Sequence, residues 1–237
     1  MQAAVREELI RRNVAMLVQV PAPRYGVNRG LTVDQSRAVL EAAVGSRLYA
    51  LFVLALYLGL RRGELLGLQW SDIDWAGRTI AVRRSLQRTA GELRLVTPKS
   101  DASGRTLPLL GLVADALEGH RKHQDDERRT AGDRWKESGH VFTTPIGTVI
   151  DPGNLRYAWR PIAERAGVTD VFHGLRHTCV TLLLNLGVSP HIVRDIAGHA
   201  ATEVTMTIYA HTSMTEKQGA LRKLDDHLSG QDGEGAP

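Results

Sequence analysis

Residues 173–209 read HGLRHTCVTLLLNLGVSPHIVRDIAGHAATEVTMTIY, and the rest of the chain is arranged to serve them. His173, Arg176 and His177 are spaced by three and four residues, so a helix running on to Gly187 brings all three onto one face. That face holds two imidazoles and one permanent cation, a set matched to an oxyanion with several oxygens, such as a phosphodiester. Ser189-Pro190 opens a second helix that Gly198 stops, and His199 follows at once. Tyr209 comes ten positions after His199 in a further short helix. A tyrosine has a pKa of about 10 when unperturbed, so as a nucleophile it needs a cationic neighbourhood.

Upstream, Thr32 and Gln35 form a capping-box pattern that opens a helix reaching about Gly45. The segment from about Arg47 to Gly59 is apolar nearly all round and predicts a central helix. GLRRGELLGL at 59–68 continues in helical spacing and places Glu64 three residues after Arg61, on the same side. From Arg78 to Leu110 the period becomes two: Ile80 with Val82, Leu93 with Leu95, Leu107 with Leu109. This predicts a small three-stranded antiparallel sheet with Lys99 in the loop before its last strand.

A helix over about Leu112 to Thr130 follows, its charged second half, HRKHQDDERR, read as a solvated face. Residues 131–150 read as a loop with a short strand or buried turn at Val141-Phe142. Asp151-Pro152 pairs an N-cap with proline and opens a helix that Gly167 ends. Residues 214–228 are amphipathic. The expected fold class is mainly α with one small sheet, an α+β chain.

With 237 residues the chain accommodates one substantial domain and a smaller segment. Its formal charge of +4 and pI of about 9.4 suit a polyanionic partner without requiring one. The single cysteine, Cys179, permits no internal disulfide and reads as a small buried side chain, consistent with a reducing cytoplasm. The longest apolar run, Leu48 to Leu60, is short of the ~20 residues that span a bilayer. His173 and His177 have a metal-ligand spacing, but a metalloprotease helix needs Glu after the first His, where Gly174 stands, and further ligands are lacking. No cofactor or metal is expected.

Together these residues resemble the phage integrase family of tyrosine site-specific recombinases. The similarity extends from Leu31 to Leu228 and rests on five motifs in order: GLRRGE, TPKS, H-x-x-R-H, Gly-His, and the tyrosine of MTIYAH. Each is an ordinary local pattern when taken singly; their joint order is what carries the resemblance. It implies six catalytic residues: Arg61, Lys99, His173, Arg176, His199 and Tyr209. Arg62 is the neighbouring alternative to Arg61. Glu64 and His177 take supporting positions.

The resemblance further implies a 3′-phosphotyrosine intermediate on double-stranded DNA without metal, self-association into a tetramer at synapsis, and accessory DNA-bending proteins. It also implies a helical core-binding domain ahead of the catalytic one. Residues 1–28 are therefore read as a remnant helix and linker, 29–228 as the catalytic domain, and 229–237 as a disordered tail. Cytoplasmic localisation, beside the nucleoid in a bacterium, follows. The competing readings are a DNA-binding integrase remnant without catalysis, and a metal-dependent hydrolase using the histidines.

Overall fold

The computed structural model describes residues 5–8, 11, 30–97, 104–169 and 171–198. Lys99, His199, Tyr209, the 214–228 helix and the 229–237 tail lie outside the described residues, as does most of 1–28.

Helix α1, Val33–Ala43, begins as its sequence dictates. Thr32 Oγ1 accepts from the Gln35 N–H at 3.2 Å, and the Gln35 side chain accepts from the Thr32 N–H at 2.9 Å. The second helix, α2 (Tyr49–Leu58), buries eight of its ten residues, so it can only be a central element. Each large side chain sealed there, such as Leu51, Phe52 or Leu54, contributes roughly 1.5–3 kcal/mol. Gly59 ends α2 in the left-handed conformation. Leu60 is buried, and helix α3 (Arg62–Gly67) starts at once with Arg61 as its N-cap.

Strands β1 (Ile73–Asp74), β2 (Thr79–Val82) and β5 (Arg105–Pro108) form a three-stranded antiparallel sheet in the order β1-β2-β5. Its register pairs Ile73 with Ile80 and Ile80 with Leu107. Strands β3 (Ser85–Thr89) and β4 (Glu92–Val96) form a separate hairpin. The strand membership therefore differs from expectation, since Leu93 and Leu95 pair with 85–89 rather than with the sheet. Two local forces explain this. Ala90 and Gly91 both take positive φ and close a two-residue hairpin turn. Arg84 turns the chain off the sheet by bonding Gln69 and the buried Asp72.

The hairpin then lies flat on α3 because Gly63 and Gly67 give that helix a smooth face. A Cβ on Gly63 would sit 2.3 Å from Ser85 Oγ and 2.8 Å from Leu86 O; one on Gly67 would sit 3.0 Å from Leu86 N.

Helix α4, Gly111–Ala131, packs on α2. Its second half is only partly the solvated face expected. His120, Gln124 and Glu127 turn inward at helical spacing. The two ring nitrogens of His120 lie 2.8 Å from Val141 O and 3.2 Å from Arg47 O. Gln124 donates to Val141 O and Thr143 Oγ1, and Glu127 pairs with Arg47. The amino acids are polar, but buried carbonyls of the 140–143 turn need donors there. Val141 and Phe142 are fully buried, as the sequence predicts.

Helix α5, Leu155–Arg165, follows a turn capped by Asp151, whose side chain accepts from the Gly153 N–H at 2.7 Å. Helix α6, Gly174–Asn185, has His173 as its N-cap residue, and α7 (Pro190–Ala197) ends at Gly198 in the left-handed conformation. Phe52, Trp159 and Phe172 form an aromatic cluster with centroids 5.9–6.1 Å apart. It fixes the segment that delivers His173. On the other side of α6 the chain entering α1 is tethered, since Leu31 N–H donates to Thr178 Oγ1 at 2.8 Å, which itself donates to Gly174 O.

Candidate active site

The ends of α2 and α7 and the starts of α3, α6 and β5 converge on one point. Arg61 sits in extended backbone as the N-cap of α3, so its own N–H is free to donate outward to the helix it precedes. Glu64 takes that bond at 2.9 Å through Oε2 and accepts from Arg61 Nη1 at 2.8 Å through Oε1. Arg61 Nη2 reaches across to Gly198 O at 2.6 Å. Arg62, by contrast, is exposed along the neighbouring cleft and takes no part in this network of bonds. The geometry thus places Arg61, and not Arg62, within the cluster.

Glu64 is buried, which alone would raise its pKa. The hydrogen bonds and charge of Arg105, and then the bonds from Arg61, outweigh burial and hold it below the ordinary carboxylate value. Arg105 has no place among the residues expected from sequence. It opens β5 with a side chain only 7% exposed, donating to Glu64 through Nη2 at 3.0 Å and to Ile196 O through Nε at 2.7 Å. One signal for it was available: Arg105, Leu107 and Leu109 alternate, so a strand must point the arginine the same way as two core leucines.

Arg176 is almost wholly buried, and its Nη1 donates to Gly59 O at 2.6 Å. Its Nη2 has no hydrogen-bond partner among the described residues. Burial, and next the positive charge of Arg61, lower its pKa to about 9. It therefore stays charged at neutral pH, a buried cation whose Nη2 amino group is unused among the described residues. Such a group is costly unless an anion completes it.

His173 and His177 meet edge to face with centroids 5.1 Å apart. Partial desolvation lowers the pKa of His173, helped by His177, Arg176, Arg61 and Arg62, so its imidazole is neutral at pH 7. His173 keeps helical backbone as the N-cap residue of α6, so its ring and that of His177 meet one turn apart, while Arg176 between them is buried against Gly59 O. Cys179 is buried as expected, close to Gly59, and burial pushes its thiol up to about 11.

Beside this cluster opens a cleft of about 1060 Å³ whose lining includes Arg61, Arg62, Arg88, Arg156, Arg160 and His173. Arg88 ties the hairpin to Asp151 at the cleft edge through an Nε bond of 2.9 Å. The cationic wall is suited to a polyanion. Among the described residues there is no cluster of His, Cys, Asp and Glu able to hold a metal ion, and no helix long and apolar enough to cross a membrane.

Comparison with known proteins accords with this geometry. A tyrosine recombinase XerC-like protein of Caldanaerobacter subterraneus subsp. tengcongensis is 37% identical over 81% of this chain and 53% of its own length. An integrase of Streptomyces ambofaciens is 34% identical over 87% of this chain and 55% of its own. The chain thus spans about half the length of these curated relatives. In fold it is similar to the Tn1549 transposon integrase solved with circular intermediate DNA, with a TM-score of 0.76 at 22% identity over 94% of this chain and 76% of that one. The XerA recombinase, also 22% identical, gives 0.63 over 94% of this chain and 72% of that one. Residues 29–216 match the phage integrase family as a whole. On that match and these identities, the chain belongs to the phage integrase family.

Proposed function

We propose that this chain carries out the DNA-cleaving and rejoining chemistry of a tyrosine recombinase. The observation that carries the reading is the buried guanidinium of Arg176, its Nη2 without a partner among the described residues, in the field of Arg61, which itself lines the neighbouring cationic cleft. A DNA phosphate entering there supplies both the missing acceptor and the negative charge that relieves the repulsion between the two arginines.

Tyr209 is the nucleophile. Its phenolic oxygen bonds the scissile phosphorus while the bond to the 5′-oxygen breaks, leaving a 3′-phosphotyrosine and a 5′-hydroxyl. Arg61 and Arg176 hold the non-bridging oxygens, where their donors offset the charge gathering in the transition state. His173, neutral at pH 7, and His199 contribute hydrogen bonds and take up the tyrosine proton; Lys99 protonates the departing 5′-oxygen. Glu64 and His177 support the arginines and His173. One phosphoester replaces another, so a 5′-hydroxyl from a second strand reverses the step and exchanges strands. Double-stranded DNA is the partner. Residues 214–228 mediate self-association toward a synaptic tetramer, accessory DNA-bending proteins assist, and the protein works in the cytoplasm beside the nucleoid.

The test is covalent capture in EDTA on a pool of nicked duplexes with randomised sequence, comparing the chain with Tyr209→Phe. The expected result is a detergent-stable protein–DNA adduct that Tyr209→Phe abolishes. An adduct that survives the substitution refutes Tyr209 as nucleophile, and adduct formation that EDTA prevents refutes the metal-free mechanism.

A further inference from the structure

We infer that Arg105 is a positioning residue for this site, holding Glu64, Arg61 and the C-terminal end of α7 in one arrangement; the inference rests on the recombinase reading above. Three observations carry it. First, Arg105 is itself buried and spends its guanidinium on two different elements: Nη1 and Nη2 on Glu64 of α3 at 3.3 and 3.0 Å, and Nε on Ile196 O of α7 at 2.7 Å. Second, Glu64 is shared. The carboxylate that Arg105 grips is the one that fixes Arg61 by its backbone N–H and by Nη1. Third, α7 ends against the guanidinium so closely that a Cβ on Gly198 would lie 2.4 Å from Arg105 Nη1, while Gly198 O accepts from Arg61 Nη2.

Arg105 and Arg61 therefore hold the same two anchors, Glu64 and the end of α7. Without Arg105, Glu64 keeps one cation instead of two, and the carbonyl of Ile196 loses its side-chain donor. Arg61 then holds less firmly fixed partners, and the end of α7 at Gly198 loses its brace.

Lysine cannot replace it fully. A single ammonium reaches the carboxylate or the carbonyl, whereas the planar fork meets both at once. A group that acts through others changes the rate of cleavage and leaves the affinity for DNA nearly intact, because misplacement of reacting groups by about 1 Å costs on the order of a hundredfold.

The experiment uses the full chain and the randomised nicked duplexes, measured in single turnover at saturating DNA, with Arg105→Met, Arg105→Lys, Glu64→Gln and the Glu64→Gln/Arg105→Met double variant. Arg129→Met, which removes an exposed arginine of α4, is the control and retains the wild-type rate. Arg105→Met is expected to form adduct roughly a hundredfold more slowly, with DNA affinity within a few-fold of wild type, and Arg105→Lys is expected to recover part of the rate. The double variant is expected to be no slower than the worse single one, since both act on one carboxylate.

Fold retention is read by circular dichroism. If Arg105→Met fails to fold, the same comparison is made on Arg105→Lys, whose rate must then fall with affinity kept. Equal rates in folded variant and wild type, losses confined to DNA affinity, or multiplicative losses in the double variant overturn the inference while leaving the recombinase reading in place. A wild-type chain that forms no adduct overturns both.

Discussion

Gly198→Ala is the most telling single change, since it tests how tightly α7 is pressed against Arg105. Gly198 has a φ of 68°, where an L side chain costs about 1 kcal/mol. The new Cβ would also lie 2.4, 2.8 and 3.1 Å from Nη1, Cζ and Nε of Arg105. A guanidinium end is ordinarily free to swing away, but this one is held by Glu64 and Ile196 O, so moving it sacrifices charge-assisted hydrogen bonds of about 1.5–3 kcal/mol each. Partial relaxation keeps the total near 3 kcal/mol, which for a chain of this size lowers Tm by roughly 10 °C. In an Arg105→Ala background the clash is gone, and Gly198→Ala should cost only the backbone part, about 1 kcal/mol. Urea unfolding followed by far-ultraviolet circular dichroism, on wild type, both single variants and the double, gives the coupling directly. Equal costs of Gly198→Ala in the two backgrounds would refute the packing argument.

Other outcomes follow from the same geometry. Arg176→Lys should lower the rate of adduct formation by roughly a hundredfold with little change in duplex affinity, since one ammonium nitrogen cannot stand both at Gly59 O and at the position of Nη2; a rate within a few-fold of wild type in the capture assay argues against Arg176 as a phosphate ligand. Stability should fall on acidification. Burial depresses His120, so the unfolded chain binds the extra proton first; stability is full above about pH 6.5 and is lost as pH drops below it. Chemical unfolding between pH 5 and 8 should show that slope, and His120→Gln should flatten it. His177→Gln removes a neighbour that lowers the pKa of His173, so the acid limb of the cleavage pH profile should move to higher pH; an unmoved limb would dissociate His173 from that ionisation. Gly63→Val should separate the hairpin from α3, with a loss of roughly 3 kcal/mol or more in urea unfolding, because backbone and a short side chain face the added carbons.

Much of this architecture was legible because its signals are local. Thr32 with Gln35, Asp151 with Pro152, Ser189 with Pro190, and the stop at Gly198 mark helix ends by side-chain and φ preferences that need no partner. The all-apolar 49–58 segment announces a central helix for the same reason. What the sequence does not give is which polar groups will be buried together. Ser85–Thr89 is too polar to read as a strand, yet it becomes one by pairing across a two-residue turn and lying on Gly63 and Gly67. His120 and Gln124 look like members of a charged run until the carbonyls of Val141 and Arg47 are placed beside them. Arg105 is hidden in the same way, for nothing near it in sequence signals that Glu64 and Ile196 O will meet it. Arg61, Glu64, His173 and Arg176 are named by motif and the fold brings them together, but only the fold shows that Arg61, and not Arg62, bonds Glu64 and Gly198 O.

The bonds that build the arginine cluster join remote parts of the chain. Arg61 meets a carbonyl 137 residues downstream, Arg176 one 117 residues upstream, and Leu31 is tied to Thr178 across 147 residues. Such contacts close long loops and form late. While the ribosome is still making the chain, a nascent polypeptide that stops short of Gly198 contains Arg61 and Glu64 but lacks the carbonyl that Arg61 turns toward. One that stops short of Arg176 lacks the buried cation altogether. Premature termination therefore releases fragments in which the cluster is incomplete, and the timing of synthesis itself delays its assembly until the last of these segments has emerged.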